Sequence, residues 1–516
     1  MEAKKSFQET ALSPGDNSAM LARGHVRHTQ IQASHLYRKD ENGNVQTRVL
    51  IPRPTNDPKD PLTWSPWRKH MAFASISFYV WLSNYGVSAV TPGFEGIIEE
   101  FGVTANQCSY LVTLQLLLLG LGNLFWIPLS LKYGKRPICI ISSALFFATF
   151  IWSAVAKSYG SLLASRIVSG FAGSVSEVMA PAVVADVYFL HERATMTGIA
   201  TFMIGGGSAL GGIFGGLVVN ASSDWRWIFW MCSIMTGTCF VSLVLCYQET
   251  NFARPPETEG GDDTDVEHEV IKSTYSFTQA FNMFAWHDRE TSLWLYFVRP
   301  LPLLLYPAIF WAAVSYGVTL GWVACQSTAN ATFFPALYHF SPLGVGNLYV
   351  ANVIGAVLGC IYSGPICDWV VGIITKRNGG YFKPEYRLYL MIPPSILGPV
   401  GLLMWGFGLH YSLHWSVAAV GSGISYAMLC IVPNIGLTYI IDAYRPVAGE
   451  AITSLTAFKN TVAFGLGFAT FPWLHKSGPA RVAGYQTLIE GLVFLTTVPL
   501  FIYGERLRRW CSQFDI

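Results

Sequence analysis

Charged residues are scarce in this chain. Asp, Glu, Lys and Arg make up 12% of its 516 residues, whereas apolar and aromatic residues make up 52%. A soluble protein of this length needs far more charge to cover its surface, so the composition excludes a soluble globular protein and predicts that a lipid bilayer solvates much of the surface. The formal net charge of +2 does not indicate a class of partner. We expect a small-molecule substrate and no nucleic-acid partner.

Paired cysteines, metal-ligand clusters and catalytic constellations are also absent from the sequence. The ten cysteines are isolated. Most, such as Cys139, Cys232, Cys360 and Cys430, fall inside apolar runs, where we expect small buried hydrophobic side chains rather than disulfides or metal ligands. No nucleophile–base pattern stands in or beside these runs, so we expect neither an enzyme nor a bound cofactor or metal.

Twelve apolar runs are long enough to cross the hydrocarbon core as helices, which takes about 20 residues each. The sequence therefore predicts an all-α membrane protein with twelve transmembrane helices in two pseudo-symmetric six-helix bundles. The runs lie near 71–92, 108–130, 137–156, 160–187, 194–219, 226–247, 302–326, 345–367, 387–409, 414–441, 449–473 and 482–503.

These runs divide the chain into five segments. The segments are an N-terminal tail at 1–70, a first bundle at 71–247, a linker at 248–300, a second bundle at 301–504 and a C-terminal tail at 505–516. The linker opens with an acidic stretch that we expect to be disordered. An amphipathic stretch from Phe277 to Phe297 predicts an interfacial helix. We expect a monomer surrounded by lipid.

The short loops predict that both termini are cytoplasmic. Lys and Arg are concentrated in the loops on the side of the N-terminus, which the positive-inside rule assigns to the cytoplasm. The first seventy residues lack the apolar core of a signal peptide, in agreement with a cytoplasmic start. We expect a multi-pass protein of the plasma membrane, with the glycosylation sequons at Asn220 and Asn330 outside.

Two charged residues, Arg166 and Glu177, fall inside the fourth apolar run. A charge there costs roughly 2.5–3.5 kcal/mol on insertion scales, so it is normally placed for a reason. Their spacing, about three turns and about 16 Å of rise, puts them on nearly the same helix face, with Gly170 and Gly173 as an open floor between them. We predict that Glu177 binds a proton or a cationic group of the substrate. The alternative is that the glycines only pack closely and the charges pair with neighbouring helices.

Other polar residues inside apolar runs predict either a wet cavity or hydrogen bonds between helices. The candidates for substrate or proton binding are Asn84, Gln115, Asn352 and Asn434. Lys459 and Asn460 also stand inside a run, the eleventh.

A short motif closes the fourth run of each half, Ala185-Asp186-Val187-Tyr188 in the first and Ile441-Asp442-Ala443-Tyr444 in the second. Repeated helical units are typical of membrane transporters. We predict that the repeated carboxylates belong to a cytoplasmic gate rather than to the binding site. The gate candidates are Asp186, Lys135, Arg136, Asp368 and Asp442.

The fifth run is rich in glycine. Gly207, Gly211 and Gly215 repeat every four residues, which predicts a small-residue face on which another helix packs closely and slides. The hinge or packing candidates are Gly198, Gly207, Gly211, Gly212, Gly215 and Gly216.

Three of these motifs are similar to signatures of one family. The glycine pattern from Gly198 to Gly216 resembles an antiporter signature, the stretch from Arg166 to Gly170 a fourth-span signature, and the stretch from Tyr133 to Arg136 the loop between spans two and three. The chain thus resembles the major facilitator superfamily. The stretch from Asp57 to Ser65 is similar to the opening of that superfamily's fungal drug:proton antiporters with twelve spans. Two positions depart from the family pattern, because Gly212 stands in place of a proline and Leu131 in place of an aspartate.

The resemblance implies a carrier that works by alternating access, with a proton gradient as its energy source and Arg166 tuning proton coupling. We expect efflux of a small organic molecule such as a metabolite, toxin or drug. Proton-coupled uptake of organic cations or polyamines on the same scaffold is a second hypothesis. A membrane sensor built on a carrier fold, which transports nothing, is a third.

Overall fold

The computed structural model describes residue 57 and residues 60–252, 292–378, 381–444 and 447–511, with three short strands of the N-terminal tail. Val26–Arg27 pairs antiparallel with Tyr381–Phe382, and Arg38–Lys39 with Val45–Thr47. The acidic stretch of the linker and most of the predicted interfacial helix lie outside the described residues. The last turns of that predicted helix coincide with the helix Leu293–Val298.

Twelve long helices, labelled α1–α12 in chain order, form the body of the protein. Those of the first half are α1 Pro66–Ser88, α2 Ala105–Tyr133, α3 Lys135–Ala154, α4 Tyr159–Val187, α5 Leu190–Ser222 and α6 Arg226–Cys246. Those of the second half begin with α7 Pro307–Tyr338, α8 Pro342–Thr375, α9 Pro384–His410, α10 Trp415–Ala443 and α11 Ala448–Phe468. Shorter helices are Pro61–Thr63, Thr91–Gly93, Phe94–Phe101 and Pro300–Leu303.

The last two long helices meet at a glycine. The helix Thr470–Leu495 contains a sharp break at Gly478, where φ is +74°. Such a φ is readily adopted only by glycine. The turns before Gly478 extend α11, whereas those after it form α12, which includes Thr497–Cys511.

Within the described residues, ten of these helices are long and apolar enough to cross a membrane. The other two are α1 and α11. The prediction of an all-α protein of twelve membrane helices in two six-helix bundles is confirmed. The domain boundaries proposed from the sequence stay predictions.

Several helices are longer than the apolar runs that predict them. The seventh run was expected to end near residue 326, but α7 continues to Tyr338. Helical hydrogen bonding does not depend on hydropathy, so a helix continues until a breaking residue or a cap ends it. This extension carries Asn330 from the expected loop into the helix.

Several helices contain irregular turns. In α2 and α4 the hydrogen-bond ladder breaks at Gly122 and Ser174, which lie against each other: a Cβ on Gly122 would be 2.5 Å from Ser174 Oγ. In α8 a π-helical turn at Tyr362–Ile366 contains Pro365, and α9 begins as the 3₁₀ helix Pro384–Met391. Proline removes a backbone donor, which accounts for the irregular turn in α8.

One acid of the helix Phe94–Phe101, which follows α1, is paired with a base. Both guanidinium nitrogens of Arg226 donate to the carboxylate of Glu100, the shorter bond being 2.5 Å. These hydrogen bonds lower the pKa of the Glu100 carboxyl below its ordinary value. They hold the helix Phe94–Phe101 against the start of α6.

Candidate functional site

The two halves are joined by an ion pair at the centre of the molecule. The ammonium of Lys459, on α11, lies 3.0 Å from a carboxylate oxygen of Glu177, on α4, and both side chains are almost fully buried, with 2% and 3% exposure. Asn460 Nδ2 donates to the same oxygen at 3.4 Å. The predicted proton or cation site at Glu177 is therefore occupied, in this conformation, by a cation of the protein itself.

An aromatic ring completes the surroundings of the Lys459 ammonium. Nζ lies 4.1 Å from the centroid of the Tyr316 ring on α7, within cation–π range. Lys459 thus has a second favourable partner on its own half, whereas Glu177 depends on the opposite half for its counter-charge. If the ion pair separates, the Lys459 ammonium therefore still has the Tyr316 ring as a favourable partner.

A narrow cavity lies beside this pair on the side where α1 begins and α12 ends, which we call the terminal face. Its volume is about 30 Å³, enough for water but far below the roughly 300 Å³ or more of a site for an organic ligand. Besides the pair and Tyr316, hydroxyl and apolar side chains form its walls. Among them are Thr197, Thr201, Ile204, Leu437 and Thr456.

A second cavity, also of about 30 Å³, lies toward the other end of the bundle, the opposite face. Asn84 lines it, as do Ser88, Ser208, Ser327 and Tyr426. Ile204 contributes to both cavities. The two cavities mark a central path between the halves that is too narrow in this conformation to hold an organic substrate.

Arg166 is completely buried and is held by backbone carbonyls. Its NH2 nitrogen donates to Gly86 O at 2.7 Å, and Nε donates to Leu111 O at 3.2 Å. The guanidinium also lies 5.6 Å from the Phe229 ring centroid, and NH1 has no hydrogen-bond partner among the described residues. None of these contacts is with a carboxylate, although a buried cation without a counter-charge is costly. The role of Arg166 in proton coupling stays a prediction.

The prediction of open space at Gly170 and Gly173, between Arg166 and Glu177, is wrong. A Cβ on Gly170 would collide with the backbone carbonyl of Gln115, and one on Gly173 would lie 3.1 Å from the Phe146 ring. Both glycines are therefore close-packing positions, as the structural alternative had it.

Of the four other polar candidates, only Asn84 lines either central cavity. Gln115 is fully buried, and neither polar atom of its side chain has a hydrogen-bond partner among the described residues. Asn434 donates to Ser363 Oγ at 3.0 Å, within the second half, and Asn352 Oδ1 is unpartnered in the same sense. Their roles in substrate binding stay predictions.

The two glycosylation candidates differ in exposure. Asn220 is exposed at the end of α5. Asn330 is buried inside α7, where its Oδ1 accepts a hydrogen bond of 2.8 Å from Trp405 Nε1. The expectation that Asn330 lies in an outside loop is wrong, because α7 extends beyond the predicted end.

The glycines of α5 form two packing faces. A Cβ on Gly207, Gly211 or Gly215 would lie within 3.0 Å of a backbone carbonyl oxygen of α1 or of the residue that ends it. Those carbonyls belong to Trp81, Tyr85 and Ala89. Thus the backbones of α5 and α1, in the same half, are in close contact.

The other face of α5 meets the second half. A Cβ on Gly212 would overlap the Tyr349 ring, and one on Gly216 would lie 2.9 Å from Gly346 Cα, both on α8. Glycine in place of the family's proline at 212 therefore makes room for an aromatic ring across the interface. Gly198 is different, since nothing lies within 4 Å of a Cβ there, so its predicted packing role is not seen in this conformation.

Hydroxyl groups close the opposite face. Tyr349 OH is hydrogen-bonded to Thr91 Oγ1 of the first half at 2.9 Å and to Ser327 Oγ at 2.5 Å. Tyr426 OH lies 3.3 Å from Ser208 Oγ, again across the interface. These contacts keep the two halves together at the end of the path remote from the chain termini.

The gate candidates of the first half cluster at the start of α3. Lys135 Nζ forms an ion pair with Asp186 at the end of α4. The carboxylate of Glu249, which follows α6, accepts hydrogen bonds of 3.1 Å from the backbone N–H groups of Lys135 and Arg136. A carboxylate at a helix N-terminus is stabilised by the helix dipole. Glu249 therefore supplies an acid to the region where Leu131 replaces the expected aspartate.

The second half has a similar arrangement, in which one base pairs with two carboxylates. Arg387, in the first turns of α9, lies 2.8 Å from Asp442 and 3.1 Å from Asp368. Asp186 and Asp442, the repeated carboxylates, thus each pair with a base near the start of the preceding helix. All of these pairs join helices of the same half. They brace the terminal face of each bundle rather than tie one bundle to the other.

Replacing Arg387 with Gln is expected to destabilise the protein by about 2 kcal/mol, because it removes charge-assisted hydrogen bonds to two carboxylates and leaves those carboxylates facing each other. Thermal unfolding of the purified protein in detergent measures this. Lys383→Gln is the matched control, since its 3.6 Å pair with Glu505 is about one-third exposed and is worth at most about 1 kcal/mol. Equal effects of the two substitutions would contradict a bracing role for Arg387.

Among the described residues, no group of three or more His, Cys, Asp or Glu side chains is placed to hold a metal ion.

Comparison with known proteins then identifies the family. Residues 76–472 match the sequence pattern of the protein family described as Major Facilitator Superfamily. The chain belongs to this superfamily. It is accordingly an integral, multi-pass membrane transporter, and its carrier fold agrees with the helical architecture described above.

Relatives with names agree with this assignment. The chain is similar to the MFS transporter cpaT of Aspergillus oryzae, with 27% identity over 88% of this chain and 90% of that protein. It is also similar to the efflux pump radE of Floropilus chiversii, with 26% identity over 88% and 83%. The crystal structure of the human organic anion transporter MFSD10 has the same fold, with a TM-score of 0.57, 14% identity and coverage of 84% and 100%.

Two charged residues, one in the central ion pair and one at the terminal face, were not among the sequence-based site candidates. Lys459 was noted only as a polar residue in the eleventh run, although a lone charge in a membrane helix implies a counter-charge elsewhere. Glu249 carries no signal of this kind, since it stands in a polar stretch after α6 and meets α3 only through the fold.

Proposed function

We propose that this carrier exchanges protons for a small organic molecule and works as an exporter by alternating access. The observation that carries the proposal is the buried ion pair of Glu177 and Lys459. It joins the two halves beside the central cavity, so any ligand that changes the charge of Glu177 also changes how strongly the halves are held together.

In the proposed exchange, a proton and a cationic group of the substrate bind the Glu177 carboxylate in turn, and each adds one positive charge to it. A proton that binds the Glu177 carboxylate converts it to the neutral acid and removes its attraction for Lys459. The Lys459 ammonium then keeps the Tyr316 ring as its partner, and the halves are free to separate at this level. A cationic group of a substrate competes with the Lys459 ammonium for the same carboxylate, and its binding displaces the proton.

The proposed direction is outward, across the plasma membrane, with both termini in the cytoplasm. The support is the name of one relative as an efflux pump and the concentration of Lys and Arg in the loops of the terminal face. Uptake of organic cations or polyamines is the second candidate, and the presence of an acid in the cavity wall favours it equally. The transporter family does not favour the third hypothesis, a sensor that transports nothing.

Transport in proteoliposomes separates these functions. The purified protein is reconstituted into liposomes that enclose DNA, so that ethidium entry increases fluorescence. An acidic lumen is expected to accelerate ethidium entry several-fold over equal pH, because an antiporter lets protons leave as the cation enters. Glu177→Gln is expected to abolish this acceleration, whereas Glu99→Gln, a change at an exposed acid of the helix Phe94–Phe101, should leave it intact.

The reversed gradient tests the second candidate. If radiolabelled spermidine enters the liposomes together with protons from an acidic exterior, proton-coupled uptake replaces export as the proposed function. Failure of both probes to respond to either gradient in the wild-type protein would contradict the proposed proton coupling of organic cations.

A further inference from the structure

A second acid is buried in the membrane-spanning part of the second half, away from the central path. Glu490 lies near the middle of α12 and has 2% exposure. It contributes to neither central cavity. Since Glu177 and Lys459 neutralise each other, Glu490 is not needed to balance their charge.

No cation faces Glu490 among the described residues. Its Oε2 atom has no hydrogen-bond partner, and it takes part in no ion pair. The part of α9 packed against it has no titratable side chain between Ile392 and Leu409. On α7, the Cys325 thiol contacts α12, where its sulfur accepts a hydrogen bond of 3.3 Å from Gln486 Nε2.

The remaining neighbours carry no free charge either. Tyr316 on α7 faces Lys459, and Lys459 on α11 is held by Glu177. On α12 itself, Tyr485 is half exposed. Apolar side chains of α7, α9 and α12 pack together in this layer, with Trp322, Leu402 and Ile489 in one cluster.

The carboxyl group occupies a place that a glycine leaves open. A Cβ on Gly398, in α9, would lie 2.8 Å from Glu490 Oε1. In this conformation the carboxyl group therefore lies against the position that a side chain at residue 398 would take. Since α9 forms one wall of this place, any shift of α9 against α12 changes the surroundings of the carboxyl group.

We propose that Glu490 is a second proton-binding site, which carries its proton in this conformation. A carboxylate ion in an apolar layer without a counter-charge is strongly disfavoured, whereas the neutral acid fits there. The ligand proposed for this site is a proton, since Glu490 lines neither central cavity. This site goes beyond the function proposed at Glu177, and it holds or fails independently of transport.

Infrared spectroscopy of the purified protein in lipid tests this site without any transport assay. The carbonyl stretch of a protonated carboxylic acid, which shifts in D₂O, is expected in the wild-type protein at neutral pH and to be missing from Glu490→Gln. Glu177→Gln should keep the band. Reversible loss of the band on raising the pH is expected, because a proton-binding site exchanges its proton.

A glycine pair supplies the matched control. Gly398→Ala is expected to shift or remove the band, because its Cβ displaces the carboxyl group. Gly491→Ala, at a glycine with nothing within 4 Å of a Cβ, should leave the band unchanged. The proposal is overturned if wild type and Glu490→Gln have the same spectrum in this region, or if the band persists at every pH up to unfolding, which would make Glu490 a fixed structural acid.

Discussion

Glu177→Gln alone is expected to destabilise the protein by about 3–5 kcal/mol, and the double variant Glu177→Gln with Lys459→Met by clearly less. The single substitution leaves a buried ammonium without its counter-charge, which is the costly case for a buried ion pair. The double variant removes both charges and keeps the volume, and such replacements are often nearly neutral. Thermal unfolding of purified variants in detergent measures the difference.

The control for this cycle is the exposed pair on the same protein. Arg226 and Glu100 lie 2.5 Å apart but are 27% and 39% exposed. Glu100→Gln should therefore cost at most about 1 kcal/mol. If the double variant at the central pair were as unstable as Glu177→Gln, the loss would come from packing around Glu177 and not from an unpaired Lys459.

Gly211→Ala is expected to destabilise the first bundle by about 1–3 kcal/mol, the usual cost of overpacking. Its new Cβ would lie 2.5 Å from Tyr85 O and 3.2 Å from Ala89 N. These are backbone atoms of α1 and its end, which cannot rotate away as a side chain can. A lower unfolding temperature and a loss of ethidium transport are the expected measurements.

Gly198→Ala, in the same helix, is the matched control. No atom lies within 4 Å of a Cβ at this position, and alanine favours a helix over glycine by about 1 kcal/mol. It should be neutral or slightly stabilising. A control variant as damaged as Gly211→Ala would show that α5 needs glycine for bending rather than for contact with α1.

The sequence predicted the helices because hydropathy and length suffice for that purpose. Twelve apolar runs gave the number of membrane helices, and the repeated Asp186 and Asp442 gave the internal symmetry. Their positions near the helix ends also pointed to the terminal face, where each is now seen with a base of the preceding helix. Where an end was misjudged, as in α7, the reason was that a helix does not stop where its apolar run stops.

The site was predicted only in part, because pairing between halves has no local signal. Glu177 stood out as an acid in a membrane helix, but its partner Lys459 lies in the other half of the chain and only the fold brings them together. Conversely, the spacing of Gly170 and Gly173 suggested an open floor, whereas packing against α2 and α3 closes it. The face of a helix can be read from its sequence, but the neighbour that covers that face cannot.

The charge-swapped variant Glu177→Lys with Lys459→Glu tests the central claim most directly, by ethidium uptake into liposomes with an acidic lumen. Each single reversal places two like charges together at the centre and should abolish gradient-driven uptake. The swap restores the pair between the halves and is expected to recover a substantial part of that uptake. A swapped protein that unfolds at the wild-type temperature but transports no better than either single reversal would contradict the claim that this ion pair couples the halves.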